Sequence, residues 1–313
     1  MTACTEIVEI VLPVFLVVAI GYALGALRFI TAELNTFLSR LVFYLAAPAL
    51  LFRSTALASL DDAVDAKVLL VVAGATVFLA FAVYMGAARV DPDRRGVFTQ
   101  GTHRSNMVFV GLPIIVNAYG EGVVAPAAVL IGVMVVVYNF LAVIVLVLPH
   151  GREGSGFRAL WVGTGLKIIR NPLILACGAG ILFSASGGSL PVCADRTLDL
   201  VGRIAMPLAL LSVGASLDFG RLRSEVVPAA IVCFLKLVAY PALVYAGLYL
   251  IGIRGVELEV PVLIMAAPTA VVSYIMAQEM KGDEQLAAAI VIGTTTASLF
   301  TISAWIFFFA TVG

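Results

Sequence analysis

Ten runs of predominantly apolar residues follow one another along the chain, near 7–27, 34–54, 67–88, 97–119, 123–148, 166–186, 197–217, 226–250, 257–279 and 284–310. About 20 such residues wound as a helix cross the hydrocarbon core of a bilayer. Inside lipid every peptide group must be satisfied internally, which leaves helices as the natural spanning element for runs of this length. The pattern predicts an all-α, multi-pass membrane protein of ten transmembrane helices. Composition agrees, since 12% of the 313 residues are charged, against roughly 25% in a soluble domain. Formal net charge is zero, with no basic block or tail, so nucleic acid has no electrostatic footing as a partner. The first ten residues, MTACTEIVEI, lack a basic leader, and the first run reads as a retained span.

Basic residues set the orientation. The odd-numbered loops hold Arg28, Arg40, Arg89, Arg94, Arg95, Arg104, Arg152, Arg158, Lys167, Arg170, Arg221, Arg223 and Lys281. The even-numbered loops hold Arg53, Lys67, Arg196, Arg203 and Arg254. Odd loops are therefore expected in the cytoplasm and both termini outside the cell (inner) membrane. The longest polar connection, 149–165, divides the chain into halves at 1–148 and 166–313. Those halves echo each other. Pro13 and Pro172, Gly21 and Gly180, and Pro48 and Pro207 are each 159 positions apart; Pro113 and Pro268 are 155 apart, and Gly132 and Gly293 are 161 apart. A near-constant offset reads as a duplicated five-helix unit. Five is odd, so the second copy enters the membrane inverted, as in many secondary transporters.

The fourth run, NMVFVGLPIIVNAYG, is interrupted at Gly111–Pro113, and the ninth at AAP, 266–268. Proline removes a backbone donor and clashes with the preceding turn, so both helices are expected to break there. Corresponding broken helices in inverted repeats point to a midplane substrate site. The exposed N–H groups that begin each second half-helix favour anions. The plain alternative is a pair of proline kinks. Around the breaks, Asn106, Gly111, Pro113, Asn117, Pro268, Thr269, Ser273 and Tyr274 are the candidate binding residues, with Ser105, Tyr119 and Gln278 beside them. Each polar one could equally tie helices together.

Lys236 lies ten residues into the eighth run, about 15 Å along a helix. A charge at that depth is costly and is usually functional or paired. It could counter an anion's charge, titrate as a coupling group, stay neutral, or be held by carbonyls freed near Pro241. No run carries a mid-span carboxylate. His103 and His150 are the only histidines and sit near cytoplasmic span ends. Without HExxH, CxxC, GxSxG or a P-loop, enzymatic and ATP-driven readings have no motif, and no cofactor or metal is expected. Whether Cys4 and Cys193 pair is left open by their positions.

The stretches RSNMVFVGLPIIVNAYG, RNPLILACGAGIL, MPLALLSVGASL, LKLVAYP and AAPTAVVSYIMAQEMKGDEQLAAAIVIGTTTAS together resemble the auxin efflux carrier family of bacterial and plant transporters. That family is more distantly related to sodium–bile acid symporters. The similarity covers essentially the whole chain. It implies an elevator-type carrier in which spans one, two, six and seven form a scaffold and a homodimer contact. The other six spans would move, with substrate held where spans four and nine cross. It also implies a small organic anion, such as a dicarboxylate, as substrate. The coupling ion, H+ or Na+, stays open. The chain lacks the asparagine-rich stretch and long central loop of plant members, which favours a bacterial metabolite anion over auxin. Rival readings are a sodium-coupled symporter of bile-acid type, a channel, or a sensor that binds an anion without moving it.

Overall fold

The computed structural model describes residues 3–57, 65–147, 172–218, 225–280 and 282–312, with side chains from residue 12 onward except at 143, 147, 174, 177, 275, 278, 279 and 312, so the side chain of Gln278 lies outside those described. The linker 149–165, His150, Asp61, Asp62, and the loop cations Arg152, Arg158, Lys167, Arg170, Arg221, Arg223 and Lys281 lie outside the described residues. The described chain is helical: α1 (Ala3–Ala26), α2 (Ala32–Leu57), α3 (Ala66–Gly86), α4 (Pro92–His103), α5 (Leu112–Tyr119), α6 (Val124–Val147), α7 (Pro172–Ala185), α8 (Val192–Ala215), α9 (Val226–Leu250), α10 (Val256–Ala266), α11 (Val272–Glu279) and α12 (Glu284–Val312). Among the described residues six helices, α2, α3, α6, α8, α9 and α12, are long and apolar enough to cross a membrane. Helix starts follow local chemistry. Thr31 accepts from the Leu34 N–H ahead of α2, and Asp65 accepts from the Lys67 N–H ahead of α3, each satisfying an amide that a helix start leaves orphaned.

Around an apolar core, the outer surface is apolar too, unlike that of a soluble protein. Phe78 and Phe81 on α3 and Val227 and Phe234 on α9 are exposed, while Thr76, Gln100, His103, Arg104, Ser105, Asn106, Lys236 and Thr294 are buried. Large apolar side chains facing outward suit lipid, and buried polar groups require partners.

Two helix pairs approach at backbone distance because glycines let them. A Cβ on Gly21 of α1 would stand 2.3 Å from the Leu211 carbonyl oxygen of α8, and one on Gly214 would stand 1.9 Å from that of Val18. In the second pair, a Cβ on Gly180 of α7 would stand 2.7 Å from the Phe52 carbonyl oxygen of α2. Small residues at such contacts are how membrane helices gain van der Waals contact without a hydrophobic drive. A polar link joins α2 to α8, where Ser212 donates to Asn35 and shares a 2.6 Å hydrogen bond with Ser39. At one end of the bundle Arg53 of α2 meets Asp195 and Asp199 of α8. Cys193, on the same helix, is a free, exposed thiol and so is not paired.

Candidate functional site

α4 stops at His103, and the chain runs extended through Arg104–Asn106 before a wide π-type turn, Met107–Gly111, leads into α5. α10 stops at Ala266, and α11 resumes at Val272. Ala267 adopts φ −56°, ψ 147°, the extended conformation that the following proline imposes on its neighbour. The two interrupted segments pair with each other. The Asn106 N–H donates to the Pro268 carbonyl at 2.7 Å, the Ala270 N–H donates to the Arg104 carbonyl at 3.0 Å, and Ser105 and Thr269 form an antiparallel bridge. Two broken helices thus satisfy each other's backbone where Arg104–Asn106 and Thr269 are buried. Thr269 reinforces the crossing, its hydroxyl donating to the Gly101 carbonyl at 2.7 Å and its N–H to the Thr294 hydroxyl at 3.1 Å.

The first break is displaced from where the sequence placed it. Pro113 lies in the first turn of α5, seven residues past Asn106, and not in the interruption. A proline is tolerated there because its missing N–H costs least at a helix start. The widened turn, in which the Leu112 N–H reaches back to the Met107 carbonyl, leaves room for the ring. Pro268, by contrast, sits inside its break. Gly111 faces α10, where an added Cβ would stand 3.5 Å from Ala267 and Ile264.

Lys236 is fully buried and reaches the crossing. A π-type turn, Leu235–Ala239, carries it on α9. Its ammonium donates to the Ser105 hydroxyl at 2.8 Å and to the Met265 carbonyl, the last turn of α10. That uses two of its three hydrogens, and the Tyr240 ring centroid lies 5.0 Å away. Ser105 in turn donates to Met265 O at 3.1 Å. Tyr240 and Tyr138 both reach the Met265 sulfur, share a 3.2 Å hydrogen bond, and extend the network to Thr76 on α3. Among the sequence alternatives for Lys236, a facing helix end holds it, rather than the carbonyls near Pro241. The carbonyl of Leu237, inside the π-type turn, is taken instead by the Trp305 indole N–H of α12 at 3.0 Å. Trp305→Phe should leave that carbonyl without a donor and cost about 1–2 kcal/mol, read as a lower thermal-melt midpoint.

Arg104 is a second buried cation, one the sequence pattern had placed among loop charges. It is 6% exposed, donating to the Tyr138 carbonyl at 3.3 Å and to Asn139 Oδ1 at 2.9 Å. His103, expected at a span end, is 0% exposed beside it. The break folds both residues inward, and no hydropathy run reveals that. Among the described residues no carboxylate is buried, so Lys236 and Arg104 stand without a counter-ion. Of the remaining sequence candidates, Asn106, Thr269 and Ser273 are buried at or beside the crossing and Tyr274 is half-buried on α11. Asn117 is exposed farther along α5. Tyr119 ties α5 to α10 by donating to Glu259 at 2.6 Å.

A cavity of about 480 Å³ opens where α2 ends and α3, α6 and α10 begin, lined among others by Arg53, Asp65, Glu121, Glu257, Leu130 and Pro261. Met265 lies four residues beyond Pro261, about 6 Å of helix rise. The cavity therefore approaches the crossing within roughly one turn.

The sequence model of one family, described as membrane transport protein, matches residues 6–306. The chain belongs to that family. It is the auxin efflux carrier family that the motifs resemble, and its members are transporters, not enzymes. A relative from Methanothermobacter thermautotrophicus named "Uncharacterized transporter" is 28% identical, the match covering 95% of this chain and 96% of that one. A Rhizobium meliloti protein named "Putative malonate transporter" is 25% identical over 95% of this chain and 94% of its own. The family membership and the apolar helices make this chain a multi-pass membrane transporter.

Proposed function

We propose that the protein is a secondary transporter for small organic dianions of the malonate class, held at the crossing of α4–α5 with α10–α11. The observation that carries this reading is the pair of buried cations, Lys236 and Arg104, at the crossing with no buried carboxylate among the described residues. Uncompensated buried charge is costly, and a dicarboxylate brings two negative charges to offset it. The N–H groups of Asn106, Thr269 and Ala270 are committed to the crossing and to Thr294. The Leu112, Ser273 and Tyr274 N–H groups are likewise committed, to Met107, Ala270 and Val271, so the carboxylate is received by the side chains of Asn106, Ser273 and Tyr274 beside the two cations.

In the proposed architecture the chain forms ten spans as two inverted five-helix repeats, with both termini outside the cell membrane and 149–165 as the cytoplasmic linker. The glycine contacts support it. Gly21 and Gly180 are 159 positions apart, and so are the residues they face, Phe52 and Leu211, so the α1–α8 and α7–α2 contacts are equivalents under the repeat. A division into scaffold and moving body is supported too. The polar network around Lys236 draws on α3, α4–α5, α6, α9, α10 and α12, whereas α1, α2, α7 and α8 join through glycines and the Ser39–Ser212–Asn35 link. Scaffold helices would pair in a homodimer while the other body carries the anion past them. The 480 Å³ cavity is then the extracytoplasmic approach to the site.

Counterflow decides the matter. Proteoliposomes loaded with malonate should accumulate labelled external malonate with saturable kinetics. Binding without exchange would make the protein a sensor, and non-saturating flux a channel.

A further inference from the structure

His103 ends α4 and is buried completely. Its Nδ1 lies 2.9 Å from the Thr99 carbonyl oxygen. A carbonyl only accepts, so Nδ1 carries the hydrogen and the neutral ring presents Nε2 as a bare lone pair. Among the described residues no donor reaches that atom. Its neighbours are satisfied: Arg104, Ser105 and Lys236 all have partners. A buried acceptor without a donor is costly, and such an orphan at a crossing calls for an account of its own.

The groups that surround it are identifiable. From its own segment come Thr99 and Arg104; from α6 comes Tyr138, its ring centroid 6.0 Å away; from α9 comes Lys236. The charged groups acting on the imidazole are Arg104 and Lys236, both cations, and no carboxylate acts on it among the described residues. A proton placed on Nε2 in the empty carrier would create a third positive charge in a low-dielectric interior, where Coulomb energies are large. A dianion seated between the two cations removes that opposition. The anion and the proton then stabilise each other's binding, and such coupling is reciprocal by thermodynamic necessity.

We propose that His103 Nε2 is the proton-coupling site of the carrier, taking up one proton with each dianion. This rests on the reading of the crossing as the anion site. The proton comes from solvent on the side where the anion enters, adds to the Nε2 lone pair to give imidazolium, and leaves from the same atom once the anion has departed on the other side. No other bond forms or breaks.

The chain has two histidines, which makes a direct test simple. With His150→Gln in place and histidine labelled with nitrogen-15, the imidazole signals report His103 alone. Without ligand the spectrum should show the neutral, Nδ1-protonated ring. Saturating malonate should convert it to imidazolium, and a weakly buffered solution should lose about one proton per malonate bound. A ring that stays neutral with malonate bound overturns the proposal and leaves the anion site intact. If no carboxylate binds, the anion reading fails and this one falls with it. In proteoliposomes His103→Gln should lose at least tenfold of the accumulation driven by an inward proton gradient, and its malonate binding should lose the pH dependence of the parent protein's. Accumulation equal to the parent protein's sinks the idea, and if that variant does not fold, the nitrogen spectrum of the His150→Gln protein stands as the judge.

Discussion

Lys236→Met should abolish malonate counterflow while leaving the protein folded. The two effects separate because the lysine's contribution to stability and its proposed contribution to binding have opposite signs. Burying an ammonium costs free energy, and an apolar side chain of similar volume often replaces a buried ion without loss. Of its two acceptors, Met265 O keeps the hydrogen bond donated by Ser105, so few polar atoms are stranded. The midpoint of thermal unfolding without ligand should therefore stay within a few degrees or rise. A bound dianion would lose one of its two buried counter-charges, an interaction worth about 3 kcal/mol when truncated from one side. That corresponds to a weakening of more than 100-fold. Counterflow kinetics and malonate-induced thermal shifts, measured side by side, check the prediction. Retained stabilisation by malonate in the variant would confine Lys236 to holding Ser105 and the α10 terminus in place. Lys236→Arg should fail as well, because a planar fork does not fit the position of a compact ammonium bonded to Ser105 and Met265.

Lys236 was legible in the sequence because the bilayer makes any charge ten residues into an apolar run conspicuous. What held it was not legible: Ser105 is 131 residues away in sequence and the Met265 carbonyl carries no side-chain signal. The helix runs were visible for the same reason as the lysine, since hydrocarbon thickness fixes their length. The breaks were half visible. Proline marks where a helix is disturbed but not on which side the chain unwinds. At Pro268 the preceding residue becomes extended, whereas Pro113 is absorbed into a first turn behind a widened one. Arg104 and His103 illustrate the remaining gap. Each is flanked by polar residues, TQGTHRSN, which in a hydropathy reading look like the end of a span. Only the pairing of 104–106 with 268–270 turns that polar stretch inward. A sharper sequence signal existed in the short apolar run itself: the seven polar or glycine residues TQGTHRS before NMVFV leave too little apolar length for an unbroken span.

Gly214→Val should be the most damaging single change outside the crossing. At this position a Cβ would lie 1.9 Å from the Val18 carbonyl oxygen and 2.8 Å from the Tyr22 nitrogen. Both are backbone atoms, so no rotamer can relieve the clash and α1 must move away from α8. Overpacking ordinarily costs 1–3 kcal/mol, and roughly that or more is expected where only rigid helices can yield. Separation would also strip the contacts around Gly21, whose own Cβ site lies 2.3 Å from the Leu211 carbonyl oxygen. Gly74→Val on α3, where nothing lies within 4 Å of the added carbon, serves as the control and should leave the melt close to the parent's. If α7 and α2 are the inverted counterparts of α1 and α8, Gly180→Val should reproduce the damage, since its Cβ would meet the Thr55 hydroxyl and the Phe52 carbonyl. Monodispersity on size exclusion and thermal midpoints of the three variants provide the comparison. Damage at 214 and 180 with none at 74 would fit two equivalent helix pairs forming one rigid scaffold. A tolerant position 180 beside an intolerant 214 would mean that the two pairs do not share a mechanical role, and a moving body would then have only the α1–α8 pair to slide against.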